Sequence, residues 1–376
     1  MKVQKGILPD SYQQIWMVLG DDYLPVEPIQ RYLDYLYSLE RSPNTISAYA
    51  YNLKFYWEFL DDNKIDWREI TLETLSQFIH WLRNPNKGVI SLQAQVSKRS
   101  EKTINHCLTT VCGFYEFHER LGTFKGVDAY RYQLQPGRKY KSFLHHISKG
   151  KEVKTRLLKV KEPETFPGCL TAEQVNTLVE ACSNLRDKFL IRLLYESGLR
   201  IGEALGLRHE DMVTGKDNAV KIIPRVNNIN HVRAKGGRER KVHVNKELMQ
   251  WYSAYLIDEY PEDLDCDFVF VVTKAPGKGE IGNPLSYKTI DSLFRRLSKK
   301  IGIKINPHLL RHTHATELIR AGWDMSYVQK RLGHSDIQTT INTYVHLSDE
   351  DLHKAYQDYL QKRIVDEEHQ SAKINT

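Results

Sequence analysis

PHLLRHTHATELIRAGWDMSYVQKRLGHSDIQTTINTYVH, residues 307–346, places histidines, an arginine and a tyrosine at offsets that allow one shared site. Asn306-Pro307 reads as a helix start, since asparagine caps orphan backbone N–H groups and proline tolerates the first helical position. His308 then falls in the first turn with Arg311 three residues on, so both project from one face. The positive end of a helix beside a histidine and an arginine suits an anion, above all a phosphate. Gly322 closes this helix, a second short one spans about 325–332, and Gly333-His334 ends it. Tyr344 follows at the end of another amphipathic turn. The working hypothesis is a phosphate clamp with a phenolic nucleophile nearby.

Working outward, Thr171 and Gln174 form a capping box ahead of a helix, and DKFLIRLLYESGLR (187–200) is a long apolar helix ending at Ser197-Gly198. Arg200 lies just past that turn, and Glu203 follows three residues later. Residues 219–224, 230–234 and 240–244 are short β-prone runs between polar turns, which predicts a small antiparallel sheet with Lys235 at a hairpin tip. Helix returns over 245–260, residues 268–271 read as a short edge strand, and 286–301 is a basic amphipathic helix.

The N-terminal half has a different character. Residues 1–25 form an extension with one helical pattern (Tyr12, Ile15, Trp16, Leu19). From 26 to 121, apolar residues at helical spacing predict a four-helix domain with a largely aromatic core, its second helix started by SPNT at 42–45. Residues 122–166 lack sustained periodicity and are rich in lysine and arginine, which predicts a basic interdomain linker able to track a DNA backbone or to serve as a solvated tether. The second domain spans 167–364, and 365–376 is a disordered tail. The fold class expected is therefore mainly α with a small antiparallel sheet, in two domains.

The totals permit this organisation. A chain of 376 residues accommodates two or three domains with real cores. Its net charge of +7 allows a nucleic-acid partner without requiring one. Five scattered cysteines without a CxxC pair argue against a disulfide framework or a thiolate zinc site, and for a reducing cytosol. No apolar run has membrane-spanning length and the N-terminus lacks a signal-peptide core, so a cytoplasmic location is expected.

Together SGLRIGEALGLRHED (197–211), HLLRHTHAT (308–316), RLGHSDIQTT (331–340) and INTYVH (341–346) resemble the tyrosine recombinase, or phage integrase, family. The resemblance implies a helical core-binding domain followed by a catalytic domain. It implies that Tyr344 attacks a scissile DNA phosphate, leaving a 3′-phosphotyrosyl link and a free 5′-hydroxyl. Arg200 and Arg311 would clamp the non-bridging oxygens, His308 would act as general acid/base, and His334 would hydrogen-bond the same phosphate. Lys235, in AKGGRERKVHV (234–244), would protonate the leaving oxygen, with Lys241 as the alternative if the hairpin is registered differently. Glu203 would orient Arg200, and His312 would support the site. The guanidiniums and the lysine supply the charge, so neither metal nor other cofactor is required.

Outside this set, Thr45, Lys98, Arg99, Lys102, Lys139 and Lys141 are the candidate DNA contacts, against a plain reading as helix caps and solvated charge. The partners implied are double-stranded DNA with inverted binding sites and a synaptic tetramer joined through the helix at 349–364. The family also admits a second recombinase or an accessory protein. Two other functions share the fold: an architectural DNA-binding relative, and a relaxing topoisomerase of the same chemistry. A zinc site at His308, His312 and His314 is disfavoured by Arg311 lying between the ligands and by the lack of HExxH. The organisation suits a transposon- or phage-borne enzyme.

Overall fold

The computed structural model describes residues 1–7, 14–84, 97–126, 130–134, 152–156, 158–163, 168–225, 228–230, 232, 239–262, 264–274, 281–334 and 357. The chain divides into two compact units, Met1–Glu164 and Thr165–Thr376.

The first unit is built on α1 (Glu27–Ser38), α2 (Pro43–Asn63), α3 (Leu72–Arg83) and α4 (Glu101–Arg120). Their starts are chemically marked: Ser42, Thr71 and Ser100 each accept a backbone N–H of the first turn. Ile29, Tyr32, Leu33 and Leu36 of α1 are buried at helical spacing, and Tyr56, Phe78 and Phe114 fill the centre. A buried polar knot ties α2 to α4, with Asn52 Nδ2 donating to Thr110 Oγ1 at 2.8 Å and Cys107 Sγ donating to Asn52 Oδ1.

Two expectations are corrected here. The N-terminal residues form a ribbon of β1 (Lys2–Ile7) and β2 (Gln14–Leu19), not a helix. Met1, Val3, Trp16 and Val18 share one face and pack on the helical core, and the Trp16 N–H is held by the Tyr37 hydroxyl. A short apolar run such as Ile15 to Leu19 fits either period, and packing decides between them. The segment 122–166 likewise contains structure. Phe124 is buried, and β3 (Tyr130–Leu134) pairs antiparallel with β4 (Glu152–Arg156). Leu158 and Val160 then pack against the helical core. Asn105 of α4 holds Val160 on both sides, donating to its carbonyl at 2.8 Å and accepting its N–H at 2.9 Å. A side-chain amide there replaces a strand partner, which periodicity does not report.

In the second unit α5 (Ala172–Ala181) and α6 (Leu185–Ser197) lead to a one-turn α7 (Ile201–Ala204). A three-stranded antiparallel sheet follows, in the order β5 (Met212–Val213), β6 (Ala219–Ile222), β7 (Arg240–His243). Then come α8 (Lys246–Asp258), α9 (Tyr287–Ile301), α10 (Pro307–Arg320) and α11 (Met325–Leu332). Helix α6 is central: Phe189, Leu190, Leu193 and Leu194 are fully buried, and α5, α8 and α10 pack against it. Asn306 caps α10 through the Leu309 N–H with Pro307 in the first turn, and Gly333 ends α11 in the left-handed region.

The sheet differs from expectation. Residues 230–234 supply no strand among the described positions. Instead Asn230 Nδ2 donates to the carbonyls of Leu205 (3.1 Å) and Leu285 (2.9 Å), pinning the segment by its side chain. Residues 268–271 make isolated bridges, Phe268 to Arg208 and Val271 to Pro284, and do not form a strand. Among the described residues no helix is long and apolar enough to cross a membrane.

Candidate active site

The site begins where α6 stops. Gly198 adopts φ +65°, and a Cβ there would lie 2.6 Å from His314 Cδ2 and 2.9 Å from Leu332 Cδ2. Both the backbone and the space therefore require glycine. The reversal delivers Arg200 to the start of α7, where Glu203 accepts its backbone N–H at 2.8 Å and its Nη1 at 3.1 Å.

Helix α10 brings Arg311 to the same place. Its Nη1 donates to the Gly198 carbonyl and its Nη2 to the Leu332 carbonyl, both at 2.7 Å. Arg200 donates to Leu332 O (3.4 Å) and Gly333 O (3.1 Å). One carbonyl, that of Leu332 at the end of α11, thus receives both guanidiniums. Arg311 Nη1 also lies 4.0 Å from Glu203 Oε2.

Histidines surround the pair. His308 is exposed in the first turn of α10, and His312 and His334 are half-buried. Burial, reinforced by Arg311 and Arg200 and then by His312 and Arg240, lowers His334 to about 4. Burial first, then the charges of His308 and Arg311, also depress His312. His312 and His334 are thus held neutral at pH 7, as the low-dielectric surroundings of two fixed cations require.

Two further contributors, Arg240 and Arg331, lie outside the residues that the motifs singled out. Arg240, first residue of β7, makes a bidentate pair with Glu203 at 2.9 and 2.7 Å. Strand alternation sets Arg240 on the same side of β7 as the buried Val242. Arg331 donates to His314 Nε2 at 2.9 Å and to the carbonyls of His243 and Glu196 at 3.0 Å. His314 is buried, so its role is structural, and with its Nε2 lone pair taken by Arg331 it does not suit a metal ligand. Among the described residues no three histidine, cysteine or carboxylate side chains are grouped as a metal site would need.

Glu203 itself is only 4 % exposed. Burial pushes its carboxyl up, but the hydrogen bonds and charge of Arg240, followed by those of Arg200, more than offset this and leave it below its ordinary value. Its expected partnership with Arg200 is present, and the carboxylate serves Arg240 as well.

Tyr344, Lys235, Lys139 and Lys141 lie outside the described residues, as does the helix expected at 349–364 apart from Gln357, which is helical and exposed. The chain between β6 and β7 is the segment that carries Lys235. Lys241, the alternative, is exposed on the opposite side of β7 from Arg240. In the first unit Lys98 and Lys102 are exposed. Arg99 instead turns inward, donating to the Leu82 carbonyl at 3.1 Å and stacking over Phe55 and Trp81, so packing accounts for it without DNA. Thr45 lies at the capped start of α2, its hydroxyl 2.8 Å from that of Ser42.

An acid-dependent stability follows from His314, lowered to about 3 by burial and then by Arg331 and Arg311, against its hydrogen bond to the Tyr195 backbone. The unfolded chain binds protons at these histidines below about 6.5 while the folded chain excludes them, so stability is intact above that pH and declines as pH falls toward 4. The thermal midpoint should drop over this window, and His314→Gln should flatten the dependence. Parallel curves for the two proteins would contradict this role.

Residues 169–351 match the model of the phage integrase family, and residues 29–122 match that of the phage integrase N-terminal SAM-like domain. The chain is 43 % identical over 364 residues to transposase A of transposon Tn554 from Staphylococcus aureus, covering 96 % of this chain and 99 % of that one. It is 29 % identical over 313 residues to the tyrosine recombinase XerA of Saccharolobus solfataricus, covering 83 % and 85 %. Its fold is similar to that of the Tn1549 transposon integrase solved with a circular-intermediate DNA (TM-score 0.60, 17 % identity, 89 % and 99 % covered). With a relative of that identity aligned almost end to end, and family models matching both its N-terminal and C-terminal regions, this chain belongs to the phage integrase family of tyrosine recombinases.

Proposed function

We propose that the protein excises and integrates a mobile element by breaking and rejoining DNA through a 3′-phosphotyrosyl intermediate. The observation that carries this reading is the meeting of Arg200 and Arg311 on the Leu332 carbonyl, with Glu203 beneath them and His334 alongside. Two always-charged guanidiniums held by protein carbonyls are preorganised for the extra negative charge of a pentacoordinate phosphate. The Tyr344 phenol oxygen attacks phosphorus and loses its proton to His308. The bond to the 5′-oxygen breaks, and Lys235 returns a proton to that oxygen. A 5′-hydroxyl from another strand then reverses the sequence, so no external energy source is needed.

The similarity to a transposon's transposase favours a mobile element as the substrate. The DNA would carry inverted binding sites, each occupied by one copy, with four copies in the synapse and the helix at 349–364 docking on a neighbour. Action in the cytoplasm agrees with the lack of a CxxC pair or a disulfide framework.

The test is to incubate the protein with a nicked element-end duplex in EDTA, denature in SDS and look for a covalent adduct. An adduct is expected with the intact chain and absent from Tyr344→Phe. Persistence in that variant would make another residue the nucleophile, and no adduct from the intact chain would leave an architectural DNA-binding protein. Supercoil relaxation without strand transfer would favour a topoisomerase. A chain ending at His346 should bind DNA but cleave poorly; normal cleavage would remove the trans contact.

A further inference from the structure

We propose that Arg240 is a positioning residue of this active site, locking Glu203 so that the guanidiniums of Arg200 and Arg311 are aimed at one phosphate. The proposal rests on reading those two arginines as the phosphate clamp. Arg240 spans both oxygens of Glu203, Nη1 to Oε1 at 2.9 Å and Nη2 to Oε2 at 2.7 Å. Its remaining nitrogen, Nε, donates to the Arg331 carbonyl at 3.1 Å. All three nitrogens therefore face protein acceptors, and the side chain is 14 % exposed. That geometry suits a support better than a phosphate ligand.

Arg240 touches two of the supports of the clamp, Glu203 and the end of α11. Glu203 holds Arg200 through its backbone N–H and its Nη1. The turn that ends α11 supplies the carbonyls of Leu332 and Gly333, which hold Arg200 and Arg311. Arg240 lies flat against that turn. A Cβ on Gly333 would lie 2.8 Å from its Nη1 and 2.9 Å from its Cζ, and Gly333 has φ +66°. Strand β7, helix α7 and the end of α11 thus meet at one guanidinium. A lysine cannot substitute fully, because a single ammonium does not span two carboxylate oxygens with fixed direction.

A positioning role and a merely structural one differ in how they respond to charge on the substrate. Cleavage should be compared, with purified full-length protein, on the adduct-forming duplex and on its methylphosphonate analogue, in which a methyl group replaces one non-bridging oxygen and removes the scissile charge. On the phosphate, Arg240→Ala should lose about 10²-fold at saturating DNA, the scale for a small misplacement of reacting groups, with DNA affinity little changed. On the methylphosphonate most of that deficit should vanish, and Arg240→Lys should fall between the two proteins on the phosphate.

Arg200→Ala is the control. If its deficit persists on the methylphosphonate, the clamp reading itself fails. If Arg200→Ala is relieved by the neutral substrate but Arg240→Ala is equally impaired on both, Arg240 serves folding alone and the proposal is overturned. Should the alanine variant not fold, Arg240→Lys, which keeps a cation beside Glu203, carries the same comparison.

Discussion

Arg311→Ala is expected to reduce covalent adduct formation by at least about 10³-fold, since removing one preorganised donor from an oxyanion site costs 10²–10³ and this guanidinium also carries a full charge. Arg311 is 4 % exposed and bonded at 2.7 Å to the carbonyls of Gly198 and Leu332, so its fork is already locked before DNA arrives. Arg311→Lys restores the charge but reaches only one of those carbonyls with directional geometry, and should recover little of the rate. Arg311→Ala also takes a donor from the buried Gly198 carbonyl, a loss of about 1–3 kcal/mol, whereas the Leu332 carbonyl keeps Arg200. Adduct rates at saturating DNA, read beside urea unfolding midpoints, separate the two effects. A fully folded Arg311→Ala that still forms adduct at the parent rate would remove Arg311 from the chemistry.

Glu203→Ala carries the largest expected stability effect. The carboxylate has side-chain exposure of 1 % and receives Arg240 and Arg200 directly, with Arg311 at 4.0 Å. Removing the anion that these three guanidiniums share leaves buried charge undercompensated, and breaking such a group costs about 3–5 kcal/mol. Glu203→Gln keeps shape and one acceptor and should cost less. Its stabilising contribution is present above the ordinary carboxyl range and lost as pH falls through the lowered folded value, so the gap between parent and Glu203→Gln should narrow in acid. Chemical unfolding of the second unit checks both. A shift of Glu203→Ala no larger than that of a surface substitution would mean that the arginines are held by the carbonyls alone.

How legible the site was in the sequence depended on the kind of interaction each residue makes. Arg200, His308, Arg311 and His334 stand beside helix caps and end glycines, so local rules placed them at element ends, where backbones can converge. Asn306, Gly198 and Gly333 are marked by backbone chemistry that acts over a few residues. Arg240 and Arg331 carry no such mark. Their partners, Glu203 for one and His314 for the other, come from different elements, and a charged residue on a short strand reads as solvent-facing until the strand's neighbours are known. Residues 130–134 and 152–156 escaped for a related reason: two short segments become strands only by pairing with each other.

What the sequence determined by itself was the family, the helical N-terminal unit, and the set of charged and imidazole side chains available to a phosphate, because capping residues, helical periodicity and motif spacing are properties of the chain alone. What only the tertiary structure decided was which of those side chains meet and what holds them. The shared Leu332 carbonyl, the buried Glu203 and the inward turn of Arg240 are contacts between segments far apart in the chain. Such contacts exist only once the core of α6 and its neighbours has set the distances between them.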